Sequence, residues 1–209
     1  MRAEIANDIA SDITKSIDGL ILAAGRSSRM DGVDKSSVLL AGIPLLEHVV
    51  QRLSPQVADL FINANANIEN SSLTVIGDAL EGFHGPLTGL WSALKSDQLS
   101  PAQYLMMVPC DGPFIPDSLV AELHATITAA DADIACVRYQ GFAQPTFSLW
   151  HKRVLPSVEE ALLVKKQGGF KPLLEQLSTV YLDWPEQPIN PFFNINTAQD
   201  LADAEQLLT

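Results

Sequence analysis

Short, wholly apolar segments that run directly into polar turns limit the fold of this chain more than any other feature. Residues 19–24 (GLILAA) end in a glycine-containing loop, and residues 104–108 (YLMMV) run into the turn PCDGP at residues 109–113. Apolar runs of this length are typical of parallel strands that are buried on both faces of a sheet. Ligands bind such sheets outside the carboxyl ends of the strands, so the polar residues that follow these runs are the first candidates for a functional site.

Strand-like and helix-like patterns alternate along the rest of the chain. Further strands are predicted over residues 58–63, 73–76, 133–139, 145–150 and 192–196. Helices are predicted over residues 44–53, 86–94, 116–130, 153–166 and 170–177, and a last helix follows Thr197, with Asp200 placed for a capping box. This alternation predicts a three-layer α/β/α sandwich with a mostly parallel, Rossmann-like sheet.

Length and composition set the number of domains and the class of protein. The 209 residues, 47% hydrophobic and 18% charged, suffice for one large domain and exclude a disordered chain. We expect an N-terminal extension over residues 1–17 and one domain over residues 18–209. Two cysteines, Cys110 and Cys136, are too few for a disulfide scaffold or a four-ligand zinc site, which favours a reducing, cytoplasmic setting. Because no apolar run reaches about 18 residues, we expect no membrane span.

The charges are distributed unevenly along the chain. The formal net charge of −12 argues against a general nucleic-acid-binding protein. Eight of the thirteen Lys and Arg residues nevertheless fall within residues 26–35 and 152–171. Two basic segments in an acidic chain indicate either a local site for a small anionic ligand or two solvated surface patches.

The loop after the first apolar run combines small residues with cations. It lacks both the GxxxxGK[ST] pattern of a P-loop and the GxGxxG pattern of a dinucleotide fold. It does contain Gly25, and Arg29 and Lys35 follow. Small residues let backbone N–H groups approach an anion, and the cations neutralise it, which suits a triphosphate. The alternative is a polar surface loop.

Carboxylate and amide side chains follow several predicted strands. Asp111 comes after the most apolar run, where a carboxylate can hold Mg²⁺ against phosphate oxygens or can hydrogen-bond its own turn. Asn63 ends one predicted strand and Asp78 follows another, and both are candidates for base or ribose contacts or for turn residues. Asn194 and Asn196 precede the last helix, and Asn196 is equally suited to cap it.

Taken together, these segments resemble a known family. The chain carries LAAGRSSRM at residues 22–30, DK at 34–35, NAN at 63–65, GPLTGL at 85–90, PCDGPFIP at 109–116 and FNINTAQDL at 193–201. In this order they resemble the molybdenum cofactor guanylyltransferase family, within the larger GT-A-like nucleotidyltransferase group. The resemblance implies that GTP contacts Leu22, Ala23, Ala24 and Gly25 of the loop, together with Lys35, Asn63, Asp78 and Asp111. It also implies that Asp111 binds Mg²⁺. The family usually has glycine where this chain has Ala24, and LAAG is typical of the related cytidylyltransferases.

The resemblance implies a Mg²⁺-dependent transfer of GMP from GTP to the terminal phosphate of molybdenum-molybdopterin, with release of pyrophosphate. Lys35 and Arg29 would stabilise the pyrophosphate. We assign the molybdopterin side to the second basic segment and the last motif, namely Lys165, Lys166, Lys171, Asn194 and Asn196. Transient contact with molybdoenzymes or their chaperones is expected. The alternatives are a CTP-dependent cytidylyltransferase and a non-catalytic relative that only binds nucleotide or cofactor.

Overall fold

The computed structural model describes residues 13–24, 37–65, 68, 72–82 and 85–208. Seven strands form the central sheet: β1 (Ile17–Leu22), β4 (Leu60–Asn63), β5 (Thr74–Ile76), β6 (Tyr104–Pro109), β7 (Ile134–Tyr139), β8 (Phe142–His151) and β9 (Thr179–Trp184). A small hairpin lies apart from it and consists of β2 (Leu39–Leu40) and β3 (Ile43–Pro44). The helices are α1 (Leu45–Leu53), α2 (Leu87–Lys95), α3 (Leu119–Ala130), α4 (Leu155–Glu159), α5 (Lys171–Gln176) and α6 (Ala198–Leu207).

The sheet has the order β5-β4-β1-β6-β8-β7-β9 and is mostly parallel, as predicted. Strand β1 pairs in parallel with β4 and β6, β4 with β5, and β7 with β9. Only β8 runs antiparallel, against both β6 and β7. The two residues between β7 and β8 explain this, since Gln140 and Gly141 have φ values of 49° and 81°. Two positive φ angles in a two-residue connection produce a tight hairpin rather than a crossover.

Helices cover both faces of the sheet, which confirms the three-layer prediction. Successive strand residues point to opposite faces, so Ile21 packs with α1 and α3 while Leu20 packs with α2, α4 and α5. The two cores contain Val49 and Phe147 on the first face and Leu90 and Trp150 on the second. No helix within the described ranges is long and apolar enough to cross a membrane.

Several element boundaries differ from the sequence predictions. The predicted strand at 192–196 is wrong: this segment pairs with none of the described strands, and Ile195 is instead buried against the β2–β3 hairpin and α6. The segment predicted as one helix over 153–166 contains α4 and then a π-helical stretch, Glu160–Val164. Strand β9 was not predicted, because it is a half-buried edge strand without an apolar run. The capping box of α6 is present, with Thr197 as the N-cap.

A buried ion pair joins the beginning of β1 to the end of β8. The carboxylate of Asp18, which is fully buried, accepts hydrogen bonds from the backbone N–H and hydroxyl of Ser100 (3.1 and 2.7 Å) and from Nζ of Lys152 (2.7 Å). Lys152 also donates to the carbonyl of Ser100 at 2.9 Å. One cation of the second basic segment is therefore part of the structural core rather than of a ligand site.

Replacing Lys152 by Met should lower the free energy of unfolding by about 2–4 kcal/mol, because the buried Asp18 carboxylate loses its counter-ion. The matched control is Lys171→Met, which removes a lysine that is 86% exposed and 3.9 Å from Glu175. That substitution should change the unfolding free energy by less than about 0.5 kcal/mol. Urea denaturation of both variants measures the difference, and similar losses would contradict a structural role for the buried pair.

Candidate functional site

Four neighbouring strands end at the same level of the sheet. The register pairs Leu22 with both Asn63 and Pro109, and Asn63 with Ile76, so the carboxyl ends of β1, β4, β5 and β6 are aligned. Hydrogen bonds extend this alignment beyond the strands, from Ala23 N–H to the Asn63 carbonyl (2.8 Å) and from the N–H of residue 110 to the Leu22 carbonyl (3.1 Å). The structure thus brings together the predicted residues Leu22, Ala23, Ala24, Asn63, Asp78 and Asp111 at one edge.

The Asp78 carboxylate is held by two asparagines. Nδ2 of Asn63 donates to Oδ1 of Asp78 at 3.0 Å, and Nδ2 of Asn65 donates to Oδ2 at 2.7 Å. The backbone N–H of Asp78 in turn donates to Oδ1 of Asn65 at 2.8 Å. Asn63 is buried, and its amide also donates to the Ile76 carbonyl at 3.1 Å. The direction of the Asp78 carboxylate is therefore set before any ligand arrives.

The first turns of α2 pack tightly against this network. A Cβ added to Gly89 would lie 2.2 Å from Oδ1 of Asn63 and 3.0 Å from Leu22, so only glycine allows the helix to come this close. The turn before α2 is equally close to the segment after the π-helical stretch. A Cβ on Gly85, whose φ is +88°, would lie 2.5 Å from the Gly168 carbonyl, which accepts from Leu87 N–H at 3.0 Å.

Asp111 lies where the chain leaves β6 and meets the segment before α6. It is nearly buried, and its carbonyl accepts from Ile195 N–H at 2.8 Å. The neighbouring Gly112 leaves room for Asn194, since an added Cβ would lie 3.2 Å from Oδ1 of that side chain. Oδ1 of Asn194 is buried and has no hydrogen-bond partner among the residues that the structure describes. The Asn194 oxygen beside the Asp111 turn thus keeps a hydrogen-bonding capacity that the described residues do not use.

Asn196 does not supply the side-chain cap of α6. Its backbone N–H donates to Oδ2 of Asp200 at 2.9 Å, and its Nδ2 donates to the Asn194 carbonyl at 3.3 Å. The capping hydroxyl belongs to Thr197, which accepts from Asp200 N–H at 3.1 Å. Asn196 therefore supports the segment that carries Asn194.

The second basic segment is mostly neutralised by acidic neighbours. Lys165 lies 3.2 Å from Glu160, Lys171 lies 3.9 Å from Glu175, and Arg153 pairs with Asp133 at 2.7 Å. Lys166 is exposed, has a φ of 56°, and forms no ion pair with the described part of the chain. Its loop is fixed beside α2 by the Gly168 contact, so Lys166 is the cation of this segment that remains available near the site.

Three predicted residues, Gly25, Arg29 and Lys35, lie outside the described residues. Two described imidazoles lie far from Asp111, at the opposite end of β6. His124 and His151 both contact the ring of Tyr104, with centroids 5.2 and 5.0 Å away. Burial lowers the pKa of each, and Arg153 lowers that of His151 further, so both are neutral at pH 7.

Polar groups gathered at the carboxyl edge of a parallel sheet, beside the tightly packed first turn of a helix, define the class of α/β proteins that bind nucleotides in this position. The profile of the MobA-like NTP transferase domain matches residues 19–180, and the chain belongs to this family of nucleotidyltransferases. The resemblance drawn from the sequence motifs is thereby confirmed.

Curated relatives agree with this membership, and a solved structure shares the fold. The chain is 38% identical to a molybdenum cofactor guanylyltransferase of Bradyrhizobium sp. (strain ORS 278), over 95% of this chain and 96% of the relative. It is also 38% identical to the protein of that name from Vibrio cholerae, over 88% of each. The structure of molybdopterin-guanine dinucleotide biosynthesis protein A from Archaeoglobus fulgidus has the same fold, with a TM-score of 0.76, 22% identity, and coverage of 91% and 98%.

One residue of the site network, Ser92, was missed by the sequence analysis. It lies inside α2, where a serine carries no positional signal, and its contact is with a turn thirteen residues earlier in the chain. Asp78 and Asn63 were candidates from the sequence because one follows and the other ends an apolar strand, which is a local pattern. The contact that Ser92 makes exists only in the folded chain.

Gly89→Ala should lower the free energy of unfolding by about 1–3 kcal/mol, because the new methyl group must displace the buried Asn63 side chain or move the helix. Gly169→Ala is the matched control, since an added Cβ there meets nothing within 4 Å. The control should leave stability unchanged or slightly improved. Comparing the two variants by urea denaturation tests the close approach, and equal stabilities would contradict it.

Proposed function

We propose that this chain is a molybdenum cofactor guanylyltransferase, which transfers GMP from GTP to the terminal phosphate of molybdenum-molybdopterin and releases pyrophosphate. The observation that carries the proposal is the convergence of the Leu22–Ala24 backbone, the Asn63–Asp78 pair and Asp111 at one edge of the sheet. The names of the relatives support the guanine nucleotide and the acceptor.

Mg²⁺ fits the donor atoms at this edge. Within the described ranges, no three His, Cys, Asp or Glu side chains form a group that could hold a metal ion by themselves. Mg²⁺ is commonly held by one or two carboxylates together with substrate phosphates, and it prefers oxygen ligands. The Asp111 carboxylate would supply such a ligand, and the unpaired Oδ1 of Asn194 is a second oxygen in the same turn region. When bound, the ion would neutralise charge on the phosphates of GTP.

The residues of the chain act by positioning and by charge. The acceptor is a phosphate monoester whose second pKa is about 6, so it is already mostly a dianion at neutral pH and needs no general base. This agrees with the placement of His124 and His151 at the far end of β6. Backbone groups of Leu22–Ala24 would bind GTP, with Asn63 and Asp78 orienting it for in-line attack. Lys35 and Arg29, from the segment that follows Ala24, would stabilise the pyrophosphate.

The molybdopterin side was assigned to Lys165, Lys166, Lys171, Asn194 and Asn196. We favour Lys166 as the cation that contacts the acceptor, because Lys165 and Lys171 are already paired with glutamates. The Gly168 contact keeps its loop beside α2, at the border of the GTP residues. Asn194 would face the same acceptor from the Asp111 side.

We also propose a cytoplasmic location and transient contact with the molybdoenzymes or chaperones that receive the product. The support is chemical. The chain has two cysteines, both buried, which are too few for the disulfide framework that is common in small secreted proteins.

Asp111→Ala should slow pyrophosphate release by roughly a hundredfold or more, because the metal loses its carboxylate ligand while the fold is kept. Asp117→Ala is the control, since Asp117 is six residues further on, is 82% exposed, and pairs with the surface residue Arg52. Pyrophosphate release is measured with both variants at equal folded fraction. A near-normal rate for Asp111→Ala would exclude its assignment as the metal ligand.

Lys166→Glu should raise KM for molybdenum-molybdopterin and leave the Kd for GTP within about twofold, because the free cation is replaced by an anion that repels the acceptor phosphate. Lys171→Glu is the control and should have the smaller effect, since its charge is already compensated. Weaker GTP binding in Lys166→Glu would mean that one ligand uses both basic segments.

The choice of base is tested by transfer rates with GTP and CTP, for the wild type and for Ala24→Gly. We expect GTP to be preferred, because one methyl group changes discrimination by only about 1–3 kcal/mol, whereas a mismatched hydrogen-bonding edge changes it more. Ala24→Gly should leave this preference unchanged or widen it. Faster turnover with CTP would establish the cytidylyltransferase alternative, and no pyrophosphate release with either nucleotide would establish the non-catalytic one.

A further inference from the structure

Ser92 joins helix α2 to the turn that carries Asp78. Its side chain is almost completely buried. The hydroxyl donates to the Thr88 carbonyl at 2.8 Å and accepts from the backbone N–H of Ala79 at 2.9 Å. A serine in the middle of a helix gains little from bonding the carbonyl four residues earlier. The second bond, to a residue outside the helix, therefore distinguishes this serine from an ordinary helical one.

The peptide unit that Ser92 holds is the one directly after Asp78. The N–H of Ala79 lies in the peptide plane that joins residues 78 and 79, and rotation of this plane changes ψ of Asp78. A hydrogen bond to that N–H therefore restrains the backbone that carries the Asp78 carboxylate. From the other side, Asn63 and Asn65 hold the carboxylate and the N–H of Asp78. Asp78 is thus clamped between the end of β4 and the side of α2.

We propose that Ser92 is a positioning residue for GTP, acting through Asp78. This inference rests on the proposed function, in which Asp78 contacts the nucleotide. Ser92 itself does not touch GTP. Its hydroxyl preorients the Asp78 carboxylate, so that GTP does not have to order the turn when it binds. A serine inside α2 thereby contributes to the affinity for GTP without contacting the nucleotide.

The test compares Ser92→Ala with Ser96→Ala. Ser92 lies inside α2, and Ser96 is the residue directly after it. Each hydroxyl oxygen accepts one hydrogen bond from a backbone N–H, that of Ala79 and that of Gln98 respectively. GTP affinity is measured by calorimetry in the presence of Mg²⁺, below the melting temperature of every variant. Ser92→Ala should weaken GTP binding roughly three- to tenfold, the range expected for one lost hydrogen bond, while Ser96→Ala should bind like the wild type. In steady-state assays KM for GTP should rise, whereas kcat should stay within about twofold of the wild-type value.

A double-mutant cycle with Asp78→Ala separates the inference from the function on which it rests. If Ser92 acts through Asp78, Ser92→Ala should have no further effect on GTP affinity once Asp78 is replaced. Additive effects of the two substitutions would overturn the inference. Equal GTP affinities of Ser92→Ala and Ser96→Ala would also overturn the inference. If Asp78→Ala weakens GTP binding in the same experiment, the proposed function stands. Normal GTP binding by Asp78→Ala would instead remove the role of Asp78, and the inference with it.

Discussion

The parallel pairing of β1 with β4 on one side and β6 on the other is the constraint on which the site depends. In parallel strands of matched register, the residues that follow each strand emerge at the same edge. Gly19 contributes to this alignment, because a Cβ there would lie 2.7 Å from Leu60, the first residue of β4. The antiparallel β8 then ends the parallel run beyond β6. The site edge therefore comprises the four strands β5, β4, β1 and β6.

The attraction of an anionic ligand depends on the charges close to its site more than on the net charge of the chain. A chain of net charge −12 repels both a triphosphate and a phosphorylated pterin, but screening limits that repulsion to about 8 Å at physiological ionic strength. Cations close to the ligand then determine the local attraction. Most bases of the second basic segment lie next to an acid, from the buried pair of Lys152 with Asp18 to the surface pairs of Lys165 and Lys171. Lys166 differs because it forms no ion pair with any residue that the structure describes.

Rigid positioning replaces acid–base chemistry in the mechanism that the site supports. A dianionic acceptor needs no base, so the chain contributes by placing two anionic substrates in line and compensating their charge. The contacts around Asp78 have the character of such a preorganised site. Three polar side chains and a close glycine contact hold the Asp78 carboxylate and its turn in place.

Much of this protein could be predicted from local patterns in the sequence. The runs at 19–24 and 104–108 indicated the buried parallel strands, Thr197 and Asp200 indicated the capping box, and Asp111 was recognised because it follows the most apolar run. These features depend on hydrophobic periodicity and on neighbours within a few residues, which the sequence displays directly. The motifs were specific enough to indicate the family as well.

Only the tertiary structure decided which distant groups meet. Lys152 looks like any other lysine of a basic segment, yet it pairs with Asp18, 134 residues earlier. In the sequence Ser92 resembles any other helical serine, and only folding places the N–H of Ala79 against its hydroxyl. Residues 192–196 alternate like a strand but pair with none of the described strands. The physical reason is the same in each case. A polar side chain or an extended segment takes its role from the partner that folding supplies, and that partner is not among its neighbours in sequence.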